Sequence, residues 1–342
     1  MHDVIIVGGG PAGLSAAFFL GQTFDVVVIE KLDHERYNRY HSICGHGMSD
    51  KAFSKIKPIP KAGILNKVDR ALLKWPGSIN IPIKIKGYII DRLELMDSIR
   101  EQCTSEFMQG TVIDIKEEAE GYSVHLKDGS VLNSRYIIGA DGAHSIVRKT
   151  LFGTEPKEMI LVDQYLKECQ TENVLAFEIN ERYKGTYKWT FPHGDLTNMG
   201  FAHGTDDPPE SISKGGRHIP MGSVRDIVKG NALLVGDSAG MPNPVSAGGL
   251  KAAFWSGKKA ALSILNGNLK RYQRWWSHSI MSSERFMKVH EQLKIWKDED
   301  MEKAVEPFKN GYNIFTIIKA IFTRPRLVWM YIGCLFAFKF SW

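Results

Sequence analysis

The residues best placed to do chemistry begin at the N-terminus. Gly8-Gly9-Gly10-Pro11-Ala12-Gly13 follows the apolar run Val4-Ile5-Ile6-Val7 and opens the helical run Leu14-Ser15-Ala16-Ala17-Phe18-Phe19-Leu20. A second β-branched run, Val26-Val27-Val28-Ile29, ends in Glu30. Glycines at this spacing after a strand, with an acid roughly 20 residues on, form a Rossmann fingerprint. Gly8 permits the tight turn, Gly10 lets backbone approach a pyrophosphate, and Gly13 allows close helix–strand packing, with Ala12 in the same turn. The helix N-terminus offers unpaired N–H groups and a partial positive charge to phosphates. Glu30 can accept hydrogen bonds from ribose hydroxyls. This combination predicts a bound dinucleotide.

Two other groups invite a chemical reading. The polar loop 31–46 holds Arg36, Arg39, His41, Cys44 and His46. His41-x-x-Cys44-x-His46 brings three metal-type ligands together, but a closed structural zinc site needs a fourth, and no second cluster supplies it. The competing reading is a loop that folds toward the cofactor, with Cys44-Gly45-His46-Gly47 flexible enough for close approach. Gly236-Asp237-Ser238-Ala239-Gly240 matches the G-x-S-x-G nucleophile elbow of hydrolases, which requires a helix directly after the serine. Pro242 and Pro244 block that helix, so a hydrolase is rejected.

The elements that must position these residues follow from periodicity. Tyr136-Ile137-Ile138 is a buried strand ending in Gly139-Ala140-Asp141-Gly142, and Ala232-Leu233-Leu234-Val235 repeats the design before Asp237. A helix over 251–265 is stopped by Asn266-Gly267. Residues 58–86 read as strands with turn signals at Pro58, Pro60, Pro76-Gly77 and Pro82, and 93–99 as an amphipathic helix. Arg92, at that helix start, is either a phosphate or ribose contact or a solvated charge, and position alone favours the surface. Residues 111–115 and 122–126 alternate as strands, with a hairpin turn at Lys127-Asp128-Gly129-Ser130. The stretch 155–222 reads as an inserted antiparallel sheet. The predicted class is α/β (α+β). A Rossmann-like cofactor domain comprises 1–57, 87–157 and 223–266, a substrate domain 58–86 and 158–222, and a C-terminal helical region 267–342.

Length and composition fit two core-bearing lobes of a globular protein: 342 residues, 43% hydrophobic and 24% charged. The opening strand lacks the pattern of a signal peptide, so no export is expected. Cys44, Cys103, Cys169 and Cys334 form no C-x-x-C pair, which points to a reducing compartment. The formal charge of +6 is uneven. From Pro307 onward stand Lys309, Lys319, Arg324, Arg326 and Lys339 with no acid, among Phe315, Ile317, Ile318, Ile321, Phe322 and the apolar run 327–338. That run is short for a bilayer crossing. Two placements fit it: a segment lying in the membrane interface, or a helix pair packed on the protein's own core. Nucleic acid is a poor partner for cations interleaved with aliphatic residues. The expected location is cytoplasmic, with a peripheral place on the inner face of the membrane if the tail binds lipid.

Taken together, these motifs resemble a known family. Gly8 to Gly13, Gly-Ala-Asp-Gly-Ala-His-Ser at 139–145 and Gly-Asp-Ser-Ala-Gly at 236–240 look like the three signatures of flavin enzymes with the aromatic-hydroxylase fold. Within them the chain is most similar to the geranylgeranyl reductases of archaea and photosynthetic organisms. Cys44-Gly45-His46-Gly47 occupies the place of their Cys-Gly-x-Gly loop, Asp91-Arg92 that of their Asp-Arg helix start, and Tyr187-Lys188-Trp189-Thr190-Phe191-Pro192 that of their Tyr-x-Trp-x-Phe-Pro motif. The similarity spans roughly residues 1–265. The chain is short for the family in the insert and the C-terminal helices.

The resemblance implies FAD, with Gly8, Gly10, Ala12, Gly13 and Glu30 on its ADP half, Arg92 as a contact and Val112 flanking the adenine side. It places Cys44, Gly45 and Gly47 beside the flavin, Asp237 on a ribityl hydroxyl, and Gly248, Gly249 and Leu250 at the N1–O2 edge. Cys44 becomes the candidate proton donor, with His46 second. Tyr187, Trp189 and Phe191 alternate along a strand and face one side. With Pro192 they become the wall for an isoprenoid chain, the plainer reading being a sheet core. The implied activity is saturation of C=C bonds in a prenyl lipid or prenyl diphosphate. The electron donor is open between NAD(P)H, a ferredoxin and another flavoprotein. An FAD monooxygenase of the same fold and an electron-relay flavoprotein are the alternatives.

Overall fold

The computed structural model describes residues 1–342, apart from the side chain of Ser341. Two eight-stranded sheets organise the chain. In the first, His2–Val7 lies at the centre, parallel to Val26–Glu30 on one side and to Val131–Gly139 on the other. Glu106–Gln109 extends it beyond Val26–Glu30, and Ala232–Leu234 beyond Val131–Gly139, both again parallel. The hairpin Val112–Glu118 and Gly121–Leu126 adds an antiparallel flap at the start of Val131–Gly139. Val4, Ile5, Ile6 and Val7 are all buried, as expected of a central strand covered on both faces.

Two helices cover one face by unusually close approach. A Cβ at Gly13, in helix Pro11–Leu20, would sit 1.9 Å from the Gly8 carbonyl oxygen. A Cβ at Gly257, in helix Leu250–Leu265, would sit 2.2 Å from the Ala12 oxygen. Gly13 lets the first turn of one helix close on the Gly8 turn, and Gly257 lets the middle of the other helix cross it, at the carboxyl ends of the parallel strands, where open α/β sheets bind ligands. Asn266 ends the second helix, and Gly267 follows with positive φ.

The second sheet runs Ser213–Met221, Glu158–Lys167, Leu196–Ala202, Lys188–His193, Val174–Glu178, Ile64–Trp75, Ile79–Ile90, Gly47–Ser49. It is antiparallel apart from the pairing of Val174–Glu178 with Ile64–Trp75. Gly47–Ser49 joins its edge and Ile79–Ile90 runs through residue 86, so it takes in residues that patterning had put with the cofactor domain. Pro82 lies inside that strand, not at a turn. It pairs with Leu72 on one side, while the short edge strand reaches only residues 87–89 on the other. A missing N–H is tolerated on a free edge.

The last two helices pack differently. Val328–Ser341 packs inward: Met330 and Ala337 are buried against a cluster with Phe286, Val289 and Leu293, and Phe338 meets Phe177. The Tyr331 hydroxyl donates to the Ala304 carbonyl at 2.7 Å. Ile314–Thr323 instead leaves most of its large side chains outside. Among the described residues, no helix is long and apolar enough to cross a membrane.

Candidate active site

A cavity of about 2180 Å³ is lined by the carboxyl ends of the first sheet, a face of the second sheet and the last helices. At the first sheet the fingerprint makes a cradle. Gly8 has φ +104°, and a Cβ there would strike the Ala140 carbonyl at 2.4 Å. The Gly9 N–H and the Leu32 N–H each donate to one oxygen of Glu30, at 2.8 and 2.9 Å, leaving further lone pairs on both. Gly10 caps the helix, and a Cβ on it would come within 3.2 Å of the His41 ring. Burial, with Arg92 and Arg217 nearby, pushes His41 well below the usual histidine range.

Arg92 is buried, not a solvated surface charge. Tyr40 and His41 end a helix, His34–His41, in what patterning reads as a polar loop, and they cover Arg92, offering a carbonyl and a ring nitrogen at 3.4 Å each. Burial pulls its pKa down to about 10, so it stays charged at neutral pH. Its Nε has no protein partner, and neither has Asp141 Oδ1, whose sister oxygen accepts the Ile146 and Val147 N–H groups. Burial raises the Asp141 carboxyl above the ordinary range. Two buried, unmatched polar atoms on residues that line the cavity, beside glycine backbone and a helix N-terminus, fit a phosphate-bearing dinucleotide. Val112 lines the same part of the cavity.

Asp237 and the turn 248–250 also line it. Asp237 pairs with Arg217 at 3.0 Å, and the Arg217 guanidinium lies 4.8 Å from the Tyr40 ring centre. Gly249 caps helix Leu250–Leu265, so the turn delivers a helix N-terminus to the cavity. Ser238 is fully buried, its Oγ set against the Gly139 and Val235 carbonyls and accepting the Val235 N–H. That hydroxyl is committed to the turn.

The Cys44 loop is clamped to the second sheet. The Cys44 N–H donates to Gln164 Oε1, and Asn198 Nδ2 donates to the Cys44 carbonyl at 2.7 Å. Asn198 Oδ1 accepts the Trp189 indole N–H at 2.8 Å. The His46 N–H donates to Cys44 Sγ at 3.2 Å. Gly45 packs so closely on Phe191 that a Cβ would lie 3.1 Å from its ring, and Gly47 lies tighter still against Trp342, at 2.6 Å. His46 is buried with Nδ1 and Nε2 each 2.9 Å from a main-chain carbonyl, of Ile90 and Ser42. Burial, helped by Arg92 and His193, pushes its pKa down to about 3.

Tyr187, Trp189 and Phe191 all line the cavity, while Pro192 does not; the alternation of the strand turns it to the other face. Trp189 and Phe191 also belong to the buried core of the second sheet, with Phe177 at its centre, 5.0 Å from Tyr187 and 5.1 Å from Phe191. The stripe is core and cavity wall at once. The Tyr187 hydroxyl donates to the Ser246 carbonyl, and burial, then the neighbouring Cys44, keep it protonated.

Several lining residues lie outside the motifs. Arg217 follows Gly215, where a Cβ would fall 2.6 Å from Ile43, so the paired glycines before the cation were the available signal. Lys251 is buried directly after Leu250, and burial, with Lys55 and Lys51 beside it, pulls it down to about 8. Gln164 and Asn198 gave no local signal.

Comparison with known proteins agrees with this geometry. The profile of the pyridine nucleotide-disulphide oxidoreductase family matches residues 2–170. A digeranylgeranylglycerophospholipid reductase of Methanopyrus kandleri is 25% identical, over 93% of this chain and 96% of its own. The chain is thus similar to reductases named for geranylgeranyl substrates. It is a flavin-dependent oxidoreductase. A menaquinone reductase of Mycolicibacterium smegmatis is also 25% identical, over 80% of this chain and 79% of its own. In three dimensions the chain superposes on a geranylgeranyl bacteriochlorophyll reductase-like protein of Thermoplasma acidophilum with TM-score 0.77 and 19% identity, covering 96% and 97% of the two chains.

Proposed function

We propose that the protein binds FAD and saturates C=C double bonds of an isoprenoid chain carried by a lipid. The observation that carries this reading is the continuity of one cavity, from the glycine cradle and the 248–250 turn to a long aromatic and aliphatic lining on the second sheet and last helices. A dinucleotide alone needs only the first part. An apolar extension of this kind suits a flexible hydrocarbon.

Gly8, Gly10, Ala12, Gly13, Glu30, Arg92 and Val112 hold the ADP half in this reading, and Asp237 with Gly248, Gly249 and Leu250 the ribityl and ring end. Tyr187, Trp189 and Phe191 guide the isoprenoid past the Cys44 loop. The bound reduced cofactor supplies a hydride equivalent to one alkene carbon, and the other carbon takes a proton. An isolated alkene has no carbonyl to polarise, so rate comes from positioning and exclusion of water. Cys44 is the proton donor. His46 is not protonated near neutral pH and so is no acid for the alkene; its single N–H holds the loop to a main-chain carbonyl instead.

The test is to reduce the purified protein anaerobically with dithionite and offer a geranylgeranyl lipid. The expected product is heavier by two hydrogens for each bond saturated. Cys44→Ala should abolish that product while retaining bound flavin. In a parallel assay in air, oxygen consumption with a hydroxylated product would replace the reductase reading with a monooxygenase.

A further inference from the structure

The helix Ile314–Thr323 is amphipathic in the reverse sense for a surface helix. Its inward positions are Thr316, Ala320 and the partly buried Ile317, while Phe315 and Phe322 are 79% and 80% exposed and Ile314, Ile318 and Ile321 stand beside them on the outer face. Spacings of one, four, seven and eight residues form one continuous stripe. Tyr312 before the helix, and Trp329 and Leu335 on the next, extend the exposed apolar surface. A patch this large on a water-facing helix marks an interaction site.

Charge identifies the partner. From Pro307 onward the chain has five Lys or Arg and no acid. The neighbouring carboxylate, Glu306, is taken by Lys309 and Lys319. An isologous contact with a second copy would press cations against cations. An anionic bilayer surface meets both the stripe and the charge.

Position adds a purpose. Tyr312 and Leu335 are partly exposed and also line the cavity, as do Gly311, Asn313, Tyr331 and Phe338. The cavity lining therefore reaches the surface at residues that flank the helix, although Ile314–Thr323 itself does not line it. We propose that Ile314–Thr323 docks in the interface of a bilayer with anionic headgroups, and that an isoprenoid chain enters the cavity beside it, past Tyr312 and Leu335. The helix lies in the plane of the membrane, since its length of roughly 15 Å is half a hydrocarbon core. The entry route rests on the isoprenoid reading; docking stands on the surface alone.

The experiment compares the parent with a Phe315→Glu/Phe322→Glu variant by co-sedimentation with vesicles of phosphatidylcholine, with and without phosphatidylglycerol. Both side chains are exposed, so the variant should keep its fold and flavin, read by circular dichroism and absorbance. The parent is expected to sediment with the anionic vesicles and less so at high salt, and the variant to lose roughly tenfold or more of that binding. Both should reduce a short isoprenoid dispersed in detergent. Parent left in the supernatant, equal sedimentation of the two, or a dimer in ultracentrifugation that the variant dissolves would overturn docking. Failure of both in detergent would instead remove the isoprenoid reading and the entry route, with docking still judged by sedimentation.

Discussion

At His46 both ring nitrogens face main-chain carbonyls, yet a neutral imidazole has a single N–H to give. Protonation would satisfy both contacts, but burial opposes it and Arg92 stands close, so the ring stays neutral down to about 3. The unfolded chain takes up that proton at the ordinary value of about 6.5. Between those values the unfolded state binds more protons, so stability is full above about 6.5 and falls as pH drops toward 3. Moving from pH 7 to pH 5 should remove about 2 kcal/mol through His46 alone. His41 is shifted in the same direction and adds to the loss. Denaturant titrations at the two pH values measure this. His46→Asn should shrink the difference between them, and an unchanged difference would show that the proton is taken up elsewhere.

At the scale of elements, the loop bearing Cys44 owes its place to two strands of the second sheet. Asn198 joins the Cys44 carbonyl to the Trp189 indole, and Gln164 receives the Cys44 N–H. Asn198→Ala leaves a buried indole N–H and a carbonyl unmatched, costing about 1–3 kcal/mol. It should also lower turnover while flavin content holds, because the thiol loses its fixed position. Asn198→Asp keeps an acceptor for Trp189 but sets a buried carboxylate against the Cys44 carbonyl, so it should lose turnover and at least as much stability. Parent-like turnover in both would free the loop from this clamp. The same clamp shows what was readable from sequence. The Gly8 to Glu30 turn was legible because its constraints are local: a positive φ, a 1.9 Å approach and an acid at a fixed distance. The alternation of Tyr187, Trp189 and Phe191 was legible for the same reason. Burial of Arg92 under Tyr40 and His41, the Arg217–Asp237 pair and the Asn198 bridge depend on segments far apart in the chain, and no local pattern announces them. In the tail, composition showed cations among apolar residues but not which helix turns inward.

At the scale of the molecule, the two sheets divide the work. The parallel sheet ends in glycine turns and helix N-termini, and the second sheet gives an apolar wall backed by the last helices. The cavity joins the two, so a flavin held at the glycine turns would supply hydride to an alkene held against the apolar wall. The most direct measurement is anaerobic mixing of the fully reduced protein with a geranylgeranyl lipid while following the flavin absorbance. The account predicts that absorbance of the oxidised flavin returns in step with saturated product, that a fully saturated lipid produces no return, and that Cys44→Ala slows it by orders of magnitude. A flavin that stays reduced beside the unsaturated lipid and reoxidises only when oxygen is admitted would contradict it.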